Sequence, residues 1–218
     1  MMPVFNKNSF VVFDLDDTLY NEIDYLKSAY RHIANTINPA IENNIYTDLL
    51  NWYNQGLNPF SHLIEKYPTT LTLSQLLDLY RFHTPQIKIH ADAFDFMQWL
   101  IKQEIPMGLI TDGRSITQRN KLQSLQITEF FTDIIISEEF GSEKPDKNNF
   151  LYFAKKYPDK TFTYIADNTK KDFIAPRELN WQMICLLDNG NNIHKQDLSL
   201  LPKETILIKN FKDLLQSL

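Results

Sequence analysis

Along the chain, short uninterrupted apolar runs alternate with longer stretches in which apolar residues recur at helical spacing. Six runs read as strands, at residues 10–13, 106–110, 133–136, 161–165, 182–187 and 205–208. Most are rich in Val, Ile or Phe and too short for helices. They lack a polar alternate face, as expected of central strands covered on both sides. Helical patterns lie between them. Residues 93–103 place Phe94, Met97 and Ile101 on one face with Leu100 beside them, residues 115–125 open on a serine suited to cap a helix, and 147–156 and 170–179 complete the series. Strand and helix in repeated alternation predict an α/β fold built on a doubly wound parallel sheet.

One region breaks the rhythm. Residues 20–89 contain no strand pattern and read as consecutive helices, roughly 22–37, 41–54, 59–66 and 74–82. Turn signals at Asn38-Pro39, Asn58-Pro59 and Tyr67-Pro68 separate them. The expected organisation is a core of residues 1–19 and 90–218 with an all-helical insert, 20–89, placed after the first strand. There is no internal repeat and no low-complexity tract; asparagine is frequent but scattered.

Composition narrows the class. With 218 residues, 43% hydrophobic and 22% charged, the chain is long enough to bury a sizeable core without disulfides. Its single cysteine, Cys185, sits in an apolar run and is expected to be a buried, inert thiol. No segment approaches the ~18 apolar residues a membrane helix needs. The first residues lack a basic, apolar and small-residue signal pattern, so a cytoplasmic location is expected. A net charge of -5 argues against a nucleic-acid polymer as partner. It also suits a phosphate ligand poorly, unless a bound cation reverses the local sign.

The strongest chemical signal is the stretch Val11-Val12-Phe13-Asp14-Leu15-Asp16-Asp17-Thr18-Leu19. Ionised carboxylates at the end of a buried strand are costly unless paired or bound to metal. Alternation sends Asp14 and Asp16 the same way, an arrangement suited to a hard cation at the sheet edge where open α/β sheets bind ligands. A turn followed by a helix cap on Asp17 or Thr18 explains any one of these residues, but not all of them.

These residues resemble the first motif of the haloacid dehalogenase superfamily, an apolar strand followed by DxDxT. Ile110-Thr111-Asp112-Gly113 resembles the second motif. Lys144-Pro145, preceded by Ser137-Glu138-Glu139-Phe140-Gly141-Ser142-Glu143, resembles the third, and Asp167 with Asp172 the fourth. Ala166 departs from the pattern, since the family often has glycine there. The resemblance runs from about Phe10 to Trp181 and implies a Rossmann-like core with a C1 cap at 20–89, and a magnesium-dependent phosphatase.

It further implies the roles. Asp14 would be the nucleophile forming an acyl phosphate, and Asp16 the acid that protonates the leaving oxygen and then activates water. Thr111, with the backbone N–H groups of Asp112 and Gly113, would bind phosphate oxygens, and Lys144 would neutralise charge. Mg²⁺ would rest on Asp14, the Asp16 carbonyl and Asp167, with Asp172 acting through water or from behind the ligands; taken alone, Asp172 equally fits an exposed acid at a helix start. The expected partner is a small phosphorylated metabolite of the sugar phosphate or nucleotide class. A phosphomutase, or a protein that only binds phosphometabolites, would share the scaffold. A dehalogenase would not need Asp16. The five histidines have no metal-ligand spacing and read as surface or insert residues, Trp52-Tyr53 as insert core, and Arg114 either as a residue facing the substrate or as a solvated helix cation. Residues 189–196 suggest no mechanism, and oligomeric state is not legible.

Overall fold

The computed structural model describes residues 5–216. Its centre is a six-stranded sheet of β1 (Ser9–Phe13), β2 (Met107–Thr111), β3 (Asp133–Ile136), β4 (Thr161–Ala166), β5 (Gln182–Leu186) and β6 (Ile206–Ile208). The spatial order is β3-β2-β1-β4-β5-β6 and every pairing is parallel. The chain winds outward from β1 through β2 to β3, then returns to the other side of β1 with β4. A crevice therefore opens at the carboxyl ends of β1 and β4, where ligands of open α/β sheets bind.

Alternation along β1 feeds two cores. Val11 and Phe13 pack with α5 (Ala91–Lys102) and α6 (Ser115–Leu125), whereas Phe10 and Val12 pack with α8 (Asn148–Lys156) and the region of α9 (Ile174–Glu178). Both faces of the strand are covered, which is why its sequence shows no polar alternate. Two short helices, α7 (Ser137–Phe140) and α10 (Lys212–Leu215), complete the layers.

Between β1 and α5 lie α1 (Glu22–Ile37), α2 (Glu42–Asn54), α3 (Pro59–Lys66) and α4 (Leu73–Phe82), around a separate apolar cluster that includes Leu26, Ile33, Leu49, Leu63 and Leu76. Trp52 and Tyr53 pack against that cluster. Asn58-Pro59 corresponds to a real start, while Tyr67-Pro68 marks the end of α3. Asn58 Oδ1 accepts the N–H groups of Phe60 and Ser61 at 3.1 and 3.2 Å ahead of α3, with Pro59 at the first helical position. Thr72 and Gln75 form a reciprocal capping box for α4. The chain leaves the sheet layer at Leu19 and returns at His90, and the two connectors meet there, the His90 N–H donating to the Leu19 carbonyl at 2.9 Å.

Several expected details differ. In α5 the buried face is Ala93, Phe96, Met97 and Leu100, while Phe94 and Ile101 are largely exposed. Phe96 supplies the aromatic contact with Phe13, so the inward stripe starts one residue earlier than the expected face. Ser115 does not cap α6; its hydroxyl donates to Glu139 and its N–H to Glu138, at 2.6 and 2.7 Å. The helix expected at 170–179 shortens to α9. Asn168 O instead accepts the Asp172 N–H, and Asp172 Oδ2 accepts the Asn168 N–H, each at 3.0 Å, holding this stretch in turns. Pro176 follows near the helix start, where its missing N–H is tolerated.

Candidate active site

β1 delivers the first acids. The Asp14 N–H still donates to Ile165 O of β4 at 2.9 Å, so Asp14 is the last residue held by the sheet. Beyond it the chain turns sharply, with Leu15 O accepting from Leu19 N at 3.0 Å and Asp17 in the left-handed region at φ 54°. Asp17 does serve a helix start, but remotely: Oδ1 accepts the Glu22 N–H at 2.7 Å while Oδ2 accepts the Ile193 N–H at 2.9 Å.

β4 ends at Ala166, which puts Asp167 beside Asp14. Carboxylate oxygens of Asp14, Asp167 and Asp172 lie within 4.8 Å of one another, all three residues buried. Lys144 is inserted among them. Its Nζ lies 2.5 Å from Asp14 Oδ1, 2.8 Å from Asp172 Oδ1 and 3.2 Å from the Tyr164 hydroxyl. It is neither a solvated loop lysine nor pointed outward: its side chain is 1% exposed. Asp172 is likewise fully buried rather than an exposed acid at a helix start.

The electrostatics show what this cluster lacks. Burial pushes the Asp14 carboxyl up to about 7, with Asp172 adding to the rise and Lys144 opposing it. Asp167 is pushed up to about 9, first by burial and then by Asp14 and Asp172. Lys144 is desolvated, yet Asp14 and Asp172 hold its ammonium far above the ordinary lysine value. One ammonium is thus insufficient to stabilise three ionised carboxylates out of water. Clustered carboxylate oxygens with unmet charge are a donor set that fits a hard divalent cation.

Asp16 belongs to a different environment. Its Oδ1 accepts from Lys121 Nζ at 2.7 Å and from the Tyr20 hydroxyl, and its Oδ2 from Gln118 Nε2 at 2.9 Å. Burial alone would raise the Asp16 carboxyl, but the Lys121 ammonium and these hydrogen bonds hold it below its usual range. Thr111 ends β2 and accepts from Gln118 Nε2 at 2.5 Å. Asp112 uses its carboxylate to hold Lys144 N at 3.0 Å and Lys171 Nζ at 2.6 Å. At φ 140° the Gly113 N–H, expected to bind phosphate, donates to Ser137 Oγ at 2.9 Å. Arg114 is exposed, 3.7 Å from Glu138.

A cleft of about 230 Å³ opens over these groups, lined by Asp14, Asp16, Thr111 and Asp167 together with Glu22, Lys171 and His194. Burial pushes the Glu22 carboxyl up to about 8, helped by Asp16.

Residues 189–196, which suggested no mechanism, contribute directly. Asn192 Nδ2 donates to Asp167 Oδ2 at 2.8 Å, and Gln196 Nε2 donates to the Asp167 carbonyl at 2.8 Å. Gln118 and Lys121 were also missed. They lie one turn before Leu122 and Leu125 on the inward stripe of α6, all four residues being buried. Polar residues at apolar spacing were the available signal.

Comparison with known proteins agrees with this geometry. The family model for haloacid dehalogenase-like hydrolase matches residues 11–186. A glyceraldehyde 3-phosphate phosphatase of Methanocaldococcus jannaschii is 28% identical, the match covering 93% of this chain and 97% of the relative. A second, from Methanopyrus kandleri, is 26% identical over 74% of this chain and 76% of the relative. Among solved structures, the HAD-hydrolase YfnB of Bacillus subtilis, bound to magnesium, superimposes with a TM-score of 0.69 at 22% identity, covering 96% of this chain and 97% of that one. The chain belongs to the haloacid dehalogenase-like hydrolases.

Proposed function

We propose that the protein is a magnesium-dependent phosphatase acting on small phosphomonoesters of the sugar phosphate class through an aspartyl-phosphate on Asp14. The observation that carries the reading is the buried Asp14–Lys144–Asp172 array with Asp167 at its edge. Two relatives named for glyceraldehyde 3-phosphate support the substrate class.

The Asp14 carboxylate attacks phosphorus and the ester oxygen leaves. Lys121 holds Asp16 ionised in the free protein, so Asp16 must first take up a proton from solvent as the anionic substrate binds. It gives that proton to the departing oxygen, then takes one from the water that cleaves the acyl phosphate. Thr111 donates its hydroxyl to a phosphate oxygen. Lys144 neutralises charge on Asp14 and on the phosphoryl group, and Asp172 holds Lys144 in place. Positioning and neutralisation of this kind supply most of the acceleration in phosphoryl transfer. Asp14, the Asp16 carbonyl and Asp167 would hold Mg²⁺, with Asp172 close behind. The bound ion would favour the ionised form of Asp14 and offset the negative charge of the substrate. Helices α1–α4 act as a cap whose first residue, Glu22, borders the cleft and limits water access.

Phosphate release from glyceraldehyde 3-phosphate and other sugar phosphates, with Mg²⁺ or with chelator, tests the reading. Asp14→Asn is expected to abolish release while the chain still folds, as read by circular dichroism. Magnesium-dependent turnover surviving in that variant would refute the nucleophile.

A further inference from the structure

Gln118 is 1% exposed, yet its amide nitrogen faces three oxygens: Asp16 Oδ2 at 2.9 Å, Thr111 Oγ1 at 2.5 Å and Asp112 O at 3.2 Å. The orientation of the amide is set by chemistry. The Asp112 carbonyl accepts only, and so does an Asp16 carboxylate paired with Lys121. Turning the amide over would set its oxygen against both, leaving buried acceptors opposed. The nitrogen and its two protons must face this side.

The consequence reaches Thr111. A hydroxyl has one proton and two lone pairs. The two amide protons are shared among three oxygens, but the Gln118 nitrogen cannot accept, so the Thr111 proton must point elsewhere, and Thr111 lines the cleft. The space for the amide depends on Gly113, where a Cβ would lie 3.3 Å from Gln118 Cδ. One buried side chain thus touches both the group assigned to proton transfer and the group assigned to phosphate binding.

Resting on the phosphatase reading above, we infer that Gln118 is a positioning residue. It fixes the Asp16 carboxylate and, by presenting to Thr111 Oγ1 a nitrogen that cannot accept, commits the Thr111 proton to the substrate phosphate. Gln118 itself touches neither substrate nor metal in this role.

The test compares two esters in the full-length protein with Mg²⁺. Glyceraldehyde 3-phosphate has an alkoxide leaving group that needs a proton; 4-nitrophenyl phosphate has one that leaves without it. Gln118→Met removes the donors at similar volume, and Gln118→Glu keeps the shape with oxygen in place of nitrogen. Either variant is expected to lower kcat/KM for the alkyl ester on the order of 100-fold, and for the aryl ester on the order of tenfold at most. Equal losses on both esters would mark a packing role and overturn the inference. If Gln118→Met fails to fold, Gln118→Glu decides by the same comparison. The Thr111 arm is read with Thr111→Val added to either variant. Little further loss on the aryl ester is expected if Gln118 acts through Thr111, and fully additive losses overturn that arm. Wild-type protein that turns over neither ester overturns the phosphatase reading and this inference together. Wild-type turnover with equal variant losses overturns the inference alone.

Discussion

Lys144→Met would test whether the buried ammonium stabilises the carboxylate cluster. The substitution keeps most of the side-chain volume and removes the charge 2.5 Å from Asp14 and 2.8 Å from Asp172. Removing one partner of a buried pair typically costs roughly 3–5 kcal/mol, because the other charge is left uncompensated. In a chain of 218 residues, each kcal/mol moves Tm by about 2–4 °C, so a drop of about 10 °C is expected at alkaline pH. The loss should depend on pH. Asp14 already titrates at about 7 with Lys144 present, and without that ammonium its carboxyl rises further. A carboxyl whose folded pKa lies above its unfolded one disfavours the folded state increasingly as pH climbs through that window. Below the window the proton replaces the missing ammonium. Thermal melts of both proteins in chelator, at about pH 8.5 and about pH 5.5, should show the larger difference at the higher pH. A difference under about 1 kcal/mol at alkaline pH, or one independent of pH, would refute the reasoning.

Other outcomes follow from the same structure. Glu22 titrates at about 8 in the folded protein, so the folded state holds its proton longer than the unfolded chain and loses stability as pH rises through that range. Glu22→Gln should therefore melt higher than wild type at alkaline pH in chelator, and close to wild type below about pH 4. Asn192→Ala removes the amide that steadies Asp167 Oδ2; the Mg²⁺ concentration for half-maximal phosphate release should rise about tenfold, read from a magnesium titration. Gly108→Ala would place a Cβ 2.4 Å from Phe153 Cε1. A cost of about 1–3 kcal/mol in denaturant unfolding is expected, partly recovered when Phe153→Leu is added.

Much of this architecture was legible because its physics is local. Phe10–Phe13 reads as a buried strand since both its faces meet apolar layers, and Asp14 and Asp16 stand out because acids do not end such strands without a partner. Turns at Asn58-Pro59 announced α3 through backbone chemistry confined to four residues. What escaped was set by distant partners. The spacing of Lys121 puts it on the inward stripe of α6, but nothing near it names Asp16, more than a hundred residues earlier, as its partner. The polar segment carrying Asn192 and Gln196 has no period to read, since its side chains are arranged by Asp167 and the Leu186 carbonyl rather than by a helix or strand. The motif points Gly113 at phosphate; its partner Ser137, twenty-four residues on, is not legible from the motif. The misplaced face of α5 has another origin: Phe94 and Ile101 are apolar yet exposed, and hydrophobicity alone does not say which of two overlapping stripes turns inward.

The hydrogen bond from His90 to Leu19 bears on how such a chain can change over time. Because departure and return share a single rung, whatever lies between them can grow, shrink or be exchanged while β1 keeps its register and α5 its start. New selectivity can then be acquired by replacing the insert as a cassette, leaving the phosphoryl chemistry beneath it intact. A splice that joins Leu19 to His90 through a short turn would keep this rung but take the Tyr20 hydroxyl from Asp16 and the Glu22 N–H from Asp17, so a replacement insert must supply both again.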